Sequence, residues 1–380
     1  KDTSICLYIK KPAKKIFNLE TESGFKIQAT EDHPFLTKNG MKELKYLSTG
    51  DEVAIFPFEG VEYEEPGNRV IVSENDIDKL KLTATSRYQI KKCLKERGLL
   101  PLRENNPKFP YLLKIFGFVL GDGCLVFTKT KGTIWFYGKK EDLEEIRKDI
   151  KKIGFKPSRI YKRKRKHKIK TFYNSYEFSR IEYSFKTTST SLARLFQLMG
   201  LPVGNKTNTH YTLPKWIWNI KKWQKRLLLA SLFGAELTSP SFIKTHPYNF
   251  YSPVLSITKN EHLCKSGLEF LNGIRKLLKE FKIESNIIRL RKEPRKKGNV
   301  VVIRLRVSSK PNNLLKFWSR IGYEYNKEKL RLANLAIIWL RRKLNFLKKG
   351  GILWKRRSGF LLPNPVWTGM IGVPKSLQGL

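Results

Sequence analysis

The sequence predicts a mixed α/β (α+β) protein made of two related halves behind a small all-β domain. Three observations carry that prediction. The first 58 residues alternate apolar and polar in short runs, which is the period of half-buried strands. An apolar helix that ends in an acid occurs twice, at Ile115 to Gly123 and at Leu229 to Leu237, with the acids Asp122 and Glu236 lying 114 residues apart. Each copy is followed by basic, strand-like sequence and then by an amphipathic segment ending in glycine, a weak internal repeat.

Taken in order, Lys15 to Glu20 and Phe25 to Ala29 read as strands around the turn Glu22-Ser23-Gly24, and Glu52 to Phe56 as a further strand after Gly50-Asp51. This β-rich domain covers residues 1–60. Residues 61–107 read as a linker and a small helical segment, with short helices from Asn75 that stop at Gly98. The first repeat half occupies 108–206 and the second 207–345. A shift of 122 residues places Leu192 on Leu314, Arg194 on Lys316, Phe196 on Trp318 and Gly200 on Gly322. Residues 346–380, rich in Pro and Gly and holding Trp354 and Trp367, form an unassigned tail.

Charge narrows the function. Lys and Arg number 76 against 33 acids, a formal net charge of +43 with a pI near 10.1. A surplus that large repels itself in a compact fold unless a polyanion neutralises part of it, and nucleic acid is the usual one. The four cysteines, Cys6, Cys93, Cys124 and Cys264, show no CxxC spacing and so no readable zinc or redox motif. No run of eighteen apolar residues is present, so no membrane span or membrane partner is expected, and the cytoplasm is the expected location.

The paired acids suggest chemistry. Gly117 and Gly121 share one helix face, and Ser231 and Ala235 occupy the same positions in the second copy. Small residues at that spacing let two helices approach closely, which brings Asp122 and Glu236 together at one end. Two neighbouring carboxylates repel unless a divalent cation sits between them, and Mg²⁺ held there activates water at a phosphodiester.

These residues resemble the LAGLIDADG (DOD-type) family of homing endonucleases, with Asp122 and Glu236 at its metal-binding position. Gly200 to Lys206 and Leu213 to Ile217 resemble a further family stretch, and the likeness runs over about 108–345. The second copy departs from the pattern, ending Glu-Leu where the family has Asp-Gly. The resemblance implies two pseudo-symmetric αββαββα halves forming a β-saddle on duplex DNA, a monomer, and Mg²⁺-dependent hydrolysis of both strands. DNA contacts are then expected from Arg159, Lys162, Arg163, Lys164 and Arg165 in the first half, and from Arg289, Arg291, Lys292, Arg304 and Arg306 in the second. The resemblance also implies a catalytic lysine beside each acid, from the strand before the closing helix, with Lys186 and Lys310 as candidates.

Gly24 to Thr37, continued by Leu44 to Val53, resembles an intein (Hint-domain) block with a Thr-x-x-His. There Thr30, Asp32 and His33 are implied to serve protein splicing, the imidazole protonating a departing amide. The expected end residues of an intein are missing, so an incomplete intein is implied, with the host-protein segments as partners in a full precursor. The second half is similar to inteins of archaeal RNA-splicing ligases. Two rival functions stand beside the endonuclease: a cleavage-deficient DNA- or RNA-binding protein of the same family, and an element whose main work is protein splicing.

Overall fold

The computed structural model of the chain describes residues 15–22, 24–129, 131–170, 175–294 and 299–348. The described chain divides into two compact units, one formed by the residues up to Pro57 with Ile338 to Lys348, the other by Phe58 to Ile337.

The smaller unit has two antiparallel hairpins. β1 (Phe17–Glu20) pairs with β2 (Lys26–Ala29), and β3 (Pro34–Thr37) with β4 (Gly40–Glu43). Gly24 and Gly40 hold positive φ at the two turns, which only glycine adopts without strain. The strand expected over Glu52 to Phe56 is reduced to one bridge, Thr37 with Val53.

The larger unit opens with β5 (Val70–Val72), α1 (Glu74–Asp78), α2 (Ala84–Glu96) and β6 (Leu102–Arg103), β5 and β6 pairing across the two helices. Ser73 and Asp76 form a reciprocal capping box at α1, and Gly98 ends the helical stretch at φ 61°.

The first repeat half follows: α3 (Phe109–Leu120), β7 (Gly123–Phe127), β8 (Gly132–Gly138), α4 (Lys140–Lys152), β9 (Tyr161–Lys170), β10 (Ser175–Thr188) and α5 (Thr190–Met199). Its sheet has the order β7-β8-β10-β9 and is antiparallel throughout. The second half runs α6 (Lys222–Glu236), β11 (Phe242–Ile243), β12 (His246–Phe250), β13 (Val254–Asn260), α7 (Cys264–Glu280), β14 (Ser285–Glu293), β15 (Val300–Val307) and α8 (Pro311–Arg320). Its sheet is β13-β15-β14, and β11 pairs with β12 as a separate hairpin. α9 (Lys327–Lys348) closes the described chain.

α3 is apolar on every side apart from Lys114, so it is buried all round, and it lies against α6. The contact depends on small residues. A Cβ on Gly117 would run into the Leu228 carbonyl oxygen, and one on Gly121 would stand 2.6 Å from Ala235 Cβ and 2.8 Å from Glu236 Cγ. The Ser231 hydroxyl donates to the Lys114 carbonyl across the same seam at 2.5 Å. Lys114 itself reaches Asp149 on α4 at 2.6 Å, where the Tyr325 hydroxyl also donates.

Candidate functional site

Packing of α3 on α6 sets both helix C-termini side by side. Asp122 follows the last turn of α3, and Glu236 is the last residue of α6. Asp122 is anchored by its own backbone, its carbonyl accepting from the Tyr137 N–H of β8 at 3.2 Å. Both acids keep solvent-accessible surface, yet protein surrounds them densely enough to weaken the screening by water. That burial raises both carboxyl pKa values, and Asp122 raises Glu236 further by like charge. A cavity of about 820 Å³ opens beside them, lined by Asp122, Tyr137, Lys139, Arg165, Arg180 and Asn326 among others.

Two lysines face the acids, and the structure arranges them as a pair. Lys206 Nζ donates to the carbonyls of Leu120, at 2.9 Å, and Gly121, at the end of α3. Lys329 Nζ donates to Gly234 at 2.8 Å and Ala235 at 3.2 Å, at the end of α6. Each ammonium satisfies carbonyls that a helix C-terminus leaves free and sits at the negative end of its dipole. Burial lowers the pKa of each to about 8 against the attraction of Asp122 and Glu236. Lys206 arrives from a segment stitched to β7, where the Gly204 N–H donates to Leu125 O at 2.7 Å. Lys329 starts α9 with its N–H donating to Asn326 Oδ1 at 3.0 Å, while Asn326 Nδ2 donates to Gly234 O at 3.1 Å.

The expected lysines sit elsewhere. Lys186, on β10, holds its ammonium 5.1 Å from the Trp135 ring centre. Lys310 lies beyond the end of β15, as the residue before α8, and pairs with Glu284 at 3.0 Å. The cations that act on the two acids are Lys206 and Lys329, bound to the helix ends themselves. Lys206 was visible in the sequence only as part of a family-like stretch. Lys329 had one signal, its spacing of 123 residues from Lys206, close to the 122-residue repeat.

The basic strands are exposed. Arg159, Lys162, Arg163, Lys164 and Arg165 all face solvent, with Arg165 opposite Arg180 and 3.7 Å from Glu182. Arg304 and Arg306 alternate with buried Ile303, Leu305 and Val307, the expected two-faced strand. Lys292 is exposed and pairs with Glu261. The side chains of Arg289 and Arg291 lie outside the described residues. In the smaller unit, the Thr30 hydroxyl donates to Asp32, the His33 N–H donates to Thr30 O at 3.1 Å, and the exposed imidazole packs edge-on to Phe35 at 5.2 Å.

The donor set suits a small hard cation in a limited way. Among the described residues no group of three or more His, Cys, Asp or Glu gathers to hold a metal ion. Two carboxylates at adjoining helix ends still match Mg²⁺, which keeps several waters and takes one or two carboxylates with phosphate oxygens completing its shell.

Fold and site thus describe a strongly basic α/β protein with a paired-acid centre between two related halves. No family model matches the chain. It is 40% identical over 337 residues to the tRNA-splicing ligase RtcB of Methanocaldococcus jannaschii, covering 87% of this chain and 33% of that protein. It is 37% identical over 325 residues to the tRNA-splicing ligase RtcB of Methanopyrus kandleri, covering 86% and 31%. It is also 36% identical over 343 residues to the DNA-directed RNA polymerase subunit Rpo1N of M. jannaschii, covering 89% and 25%. The chain therefore spans about a third of the length of the ligases it matches, and a quarter of the polymerase subunit.

These matches correct the assignment implied by the motifs. The three relatives carry the names of tRNA-splicing ligases and a DNA-directed RNA polymerase subunit, and none is named a homing endonuclease or an intein. The expected DNA endonuclease, with duplex DNA as partner, gives way to that finding. So do the truncated intein around it and the two rivals, the cleavage-deficient binder and the splicing element. The physical reason lies in what the motifs measure. Two apolar helices joined by small residues, with an acid at each end, are a packing solution, and a fold alone does not fix the polynucleotide or the reaction. The expected absence of a membrane span is matched at the coarser level: no described helix is long and apolar enough to cross a membrane.

Proposed function

We propose that this chain grips the phosphate backbone of RNA along its basic strands and presents one phosphate to the Asp122–Glu236 centre for phosphoryl transfer. The observation that carries the reading is the convergence of two solvent-accessible carboxylates with two helix-capping lysines at one point. RNA is favoured as the ligand because the ligase relatives are named for tRNA splicing. The likeness to proteins of different names favours a property common to them, the handling of a polynucleotide.

A divalent cation between the carboxylates would polarise a phosphate oxygen. The chain's own residues supply the rest. Asp122 and Glu236 carry raised pKa values because the surrounding protein desolvates them, and Asp122 adds like-charge repulsion on Glu236, against the attraction of Lys206 and Lys329. Lys206 and Lys329 stand at fixed positions beside them, able to stabilise charge on a reacting oxygen or to lend a proton near neutral pH. Arg304, Arg306 and the run from Lys162 to Arg165 supply backbone contacts, which position the strand without reading its sequence.

The test offers the full chain a labelled RNA hairpin, either intact or carrying one break, in Mg²⁺, with a DNA duplex of the same sequence as comparison. Salt-dependent RNA binding, with a change in the phosphodiester that Asp122→Asn and Glu236→Gln each abolish, is the expected result. Preference for the DNA duplex, or RNA turnover indifferent to both acids, overturns the reading.

A further inference from the structure

Lys259, on β13, is fully buried and forms no ion pair among the described residues. Burying an ammonium without a carboxylate costs several kcal/mol unless its protons are otherwise satisfied, so its surroundings are informative. Nζ donates to two carbonyls, Lys206 O and Thr209 O, each at 2.7 Å. It also lies 3.7 Å from the ring centre of Tyr211, which accounts for the third face of the ammonium.

The pocket is built from several elements. Gly267 of α7 leaves room for the lysine stem and for Ile303, since a Cβ there would stand 2.9 Å from Lys259 Cγ and 2.8 Å from Ile303 Cδ1. Tyr211 is held by Ser266, its N–H donating to the hydroxyl at 3.1 Å and its carbonyl accepting from it at 3.0 Å. The titratable groups facing this ammonium are Lys206 and Tyr211. The two carbonyls bracket the turn from Lys206 to Thr209, and Lys206 is the residue whose own ammonium reaches the end of α3 beside Asp122.

We propose that Lys259 is a positioning residue, which clamps the Lys206–Thr209 turn from beneath and so holds the Lys206 ammonium against the paired acids. This rests on the reading of Asp122 and Glu236 as a divalent-cation centre. A lysine held there competes with the incoming cation. Releasing it strengthens cation binding, the opposite of what general loosening of the site does.

The experiment titrates Mn²⁺, as the probe ion, into the full chain and follows amide hydrogen exchange over residues 205–211. Lys259→Met is expected to bind Mn²⁺ about tenfold more tightly, the scale of one nearby partly screened charge. Lys206→Met gives the same gain and the double variant no more, while exchange over 205–211 accelerates and α7 stays protected. Gly267→Ala keeps the charge but displaces the stem and moves both readouts the same way, which covers a failure of Lys259→Met to fold. Ile90→Val, buried on α2, serves as a mildly destabilised control with unchanged affinity. Additive gains, or unchanged exchange over 205–211, overturn the clamp. Failure of the wild type to bind Mn²⁺, or binding indifferent to Asp122→Asn, sinks the cation-centre reading instead, and the exchange data still decide the clamp.

Discussion

Replacing Gly121 by alanine tests whether the helix seam sets the geometry of the centre. The added Cβ would stand 2.6 Å from Ala235 Cβ and 2.8 Å from Glu236 Cγ. Carbon atoms pack comfortably at about 3.5–4.0 Å, so the contact is short by roughly 1 Å. Ala235 Cβ is fixed to the α6 backbone, so relief requires the end of α6 to move, and Glu236 moves with it. Overpacking of this kind costs about 1–3 kcal/mol, or a fall in Tm of roughly 2–12 °C for a unit of this size. The chemical penalty is larger, because a displacement of about 1 Å at a reacting centre costs on the order of 100-fold in rate. Gly138→Ala is the control: its Cβ would meet Leu143 Cδ2 at an ordinary 3.6 Å, and its stability should stay within about 0.5 kcal/mol of wild type. Thermal melts and Mn²⁺ titrations of both variants provide the readout. Melting and ion affinity of Gly121→Ala indistinguishable from those of Gly138→Ala would refute the claim that this seam sets the spacing of the acids.

Two further predictions follow from charge. Lys206, Lys259 and Lys329 titrate near 8 in the fold against an ordinary 10.5, so the stability they contribute is present above about 10.5 and is lost as pH falls through 8. Melts taken from about pH 10 down to pH 7 should show that loss, and Lys329→Met should shrink it. The raised pKa values of Asp122 and Glu236 act in the other sense: stability is lost as pH rises through their folded values and regained below them, a limb that Asp122→Asn flattens. For RNA binding, Arg304→Ala and Arg306→Ala should each reduce the slope of log affinity against log salt by about 0.7–0.9 if each contacts one phosphate. An unchanged slope in filter-binding assays would remove those arginines from the backbone interface.

The parts of the molecule that sequence disclosed are those with a strong local pattern. The apolar runs of α3 and α6, their small-residue faces and their terminal acids were all readable, because a buried helix pair leaves little choice of residue. The alternation at Ile303 to Val307 was readable for the same reason. α4 and α7 went unread although Leu143, Ile146 and Ile150, and likewise Phe270, Ile274 and Leu277, fall at helical spacing. The dense charge around the first set and the small residues within the second diluted the signal. The cations of the centre were the larger omission. Lys206, Lys259 and Lys329 are three among 76 basic residues, and what sets them apart is the set of carbonyls they reach, far away in sequence. Of the relatives, only the ligase name was touched, through the likeness of the second half to inteins of archaeal RNA-splicing ligases, and nothing in a helix end specifies which polynucleotide it meets.

The two helix-capping lysines are not equivalent in how they are secured. Lys329 is fixed by Asn326 and by carbonyls of α6, all within the second half. Lys206 belongs to the segment that leaves the first half, and the turn that bears it rests on Lys259 from the second. The first half folding alone would have its acid and a cation capping α3, but not the support that Lys259 gives the turn bearing it. The second would have both its acid and its cation. The centre is therefore complete only with both halves in place, because Asp122 with its capping lysine comes from one and Glu236, Lys329 and the Lys259 support come from the other.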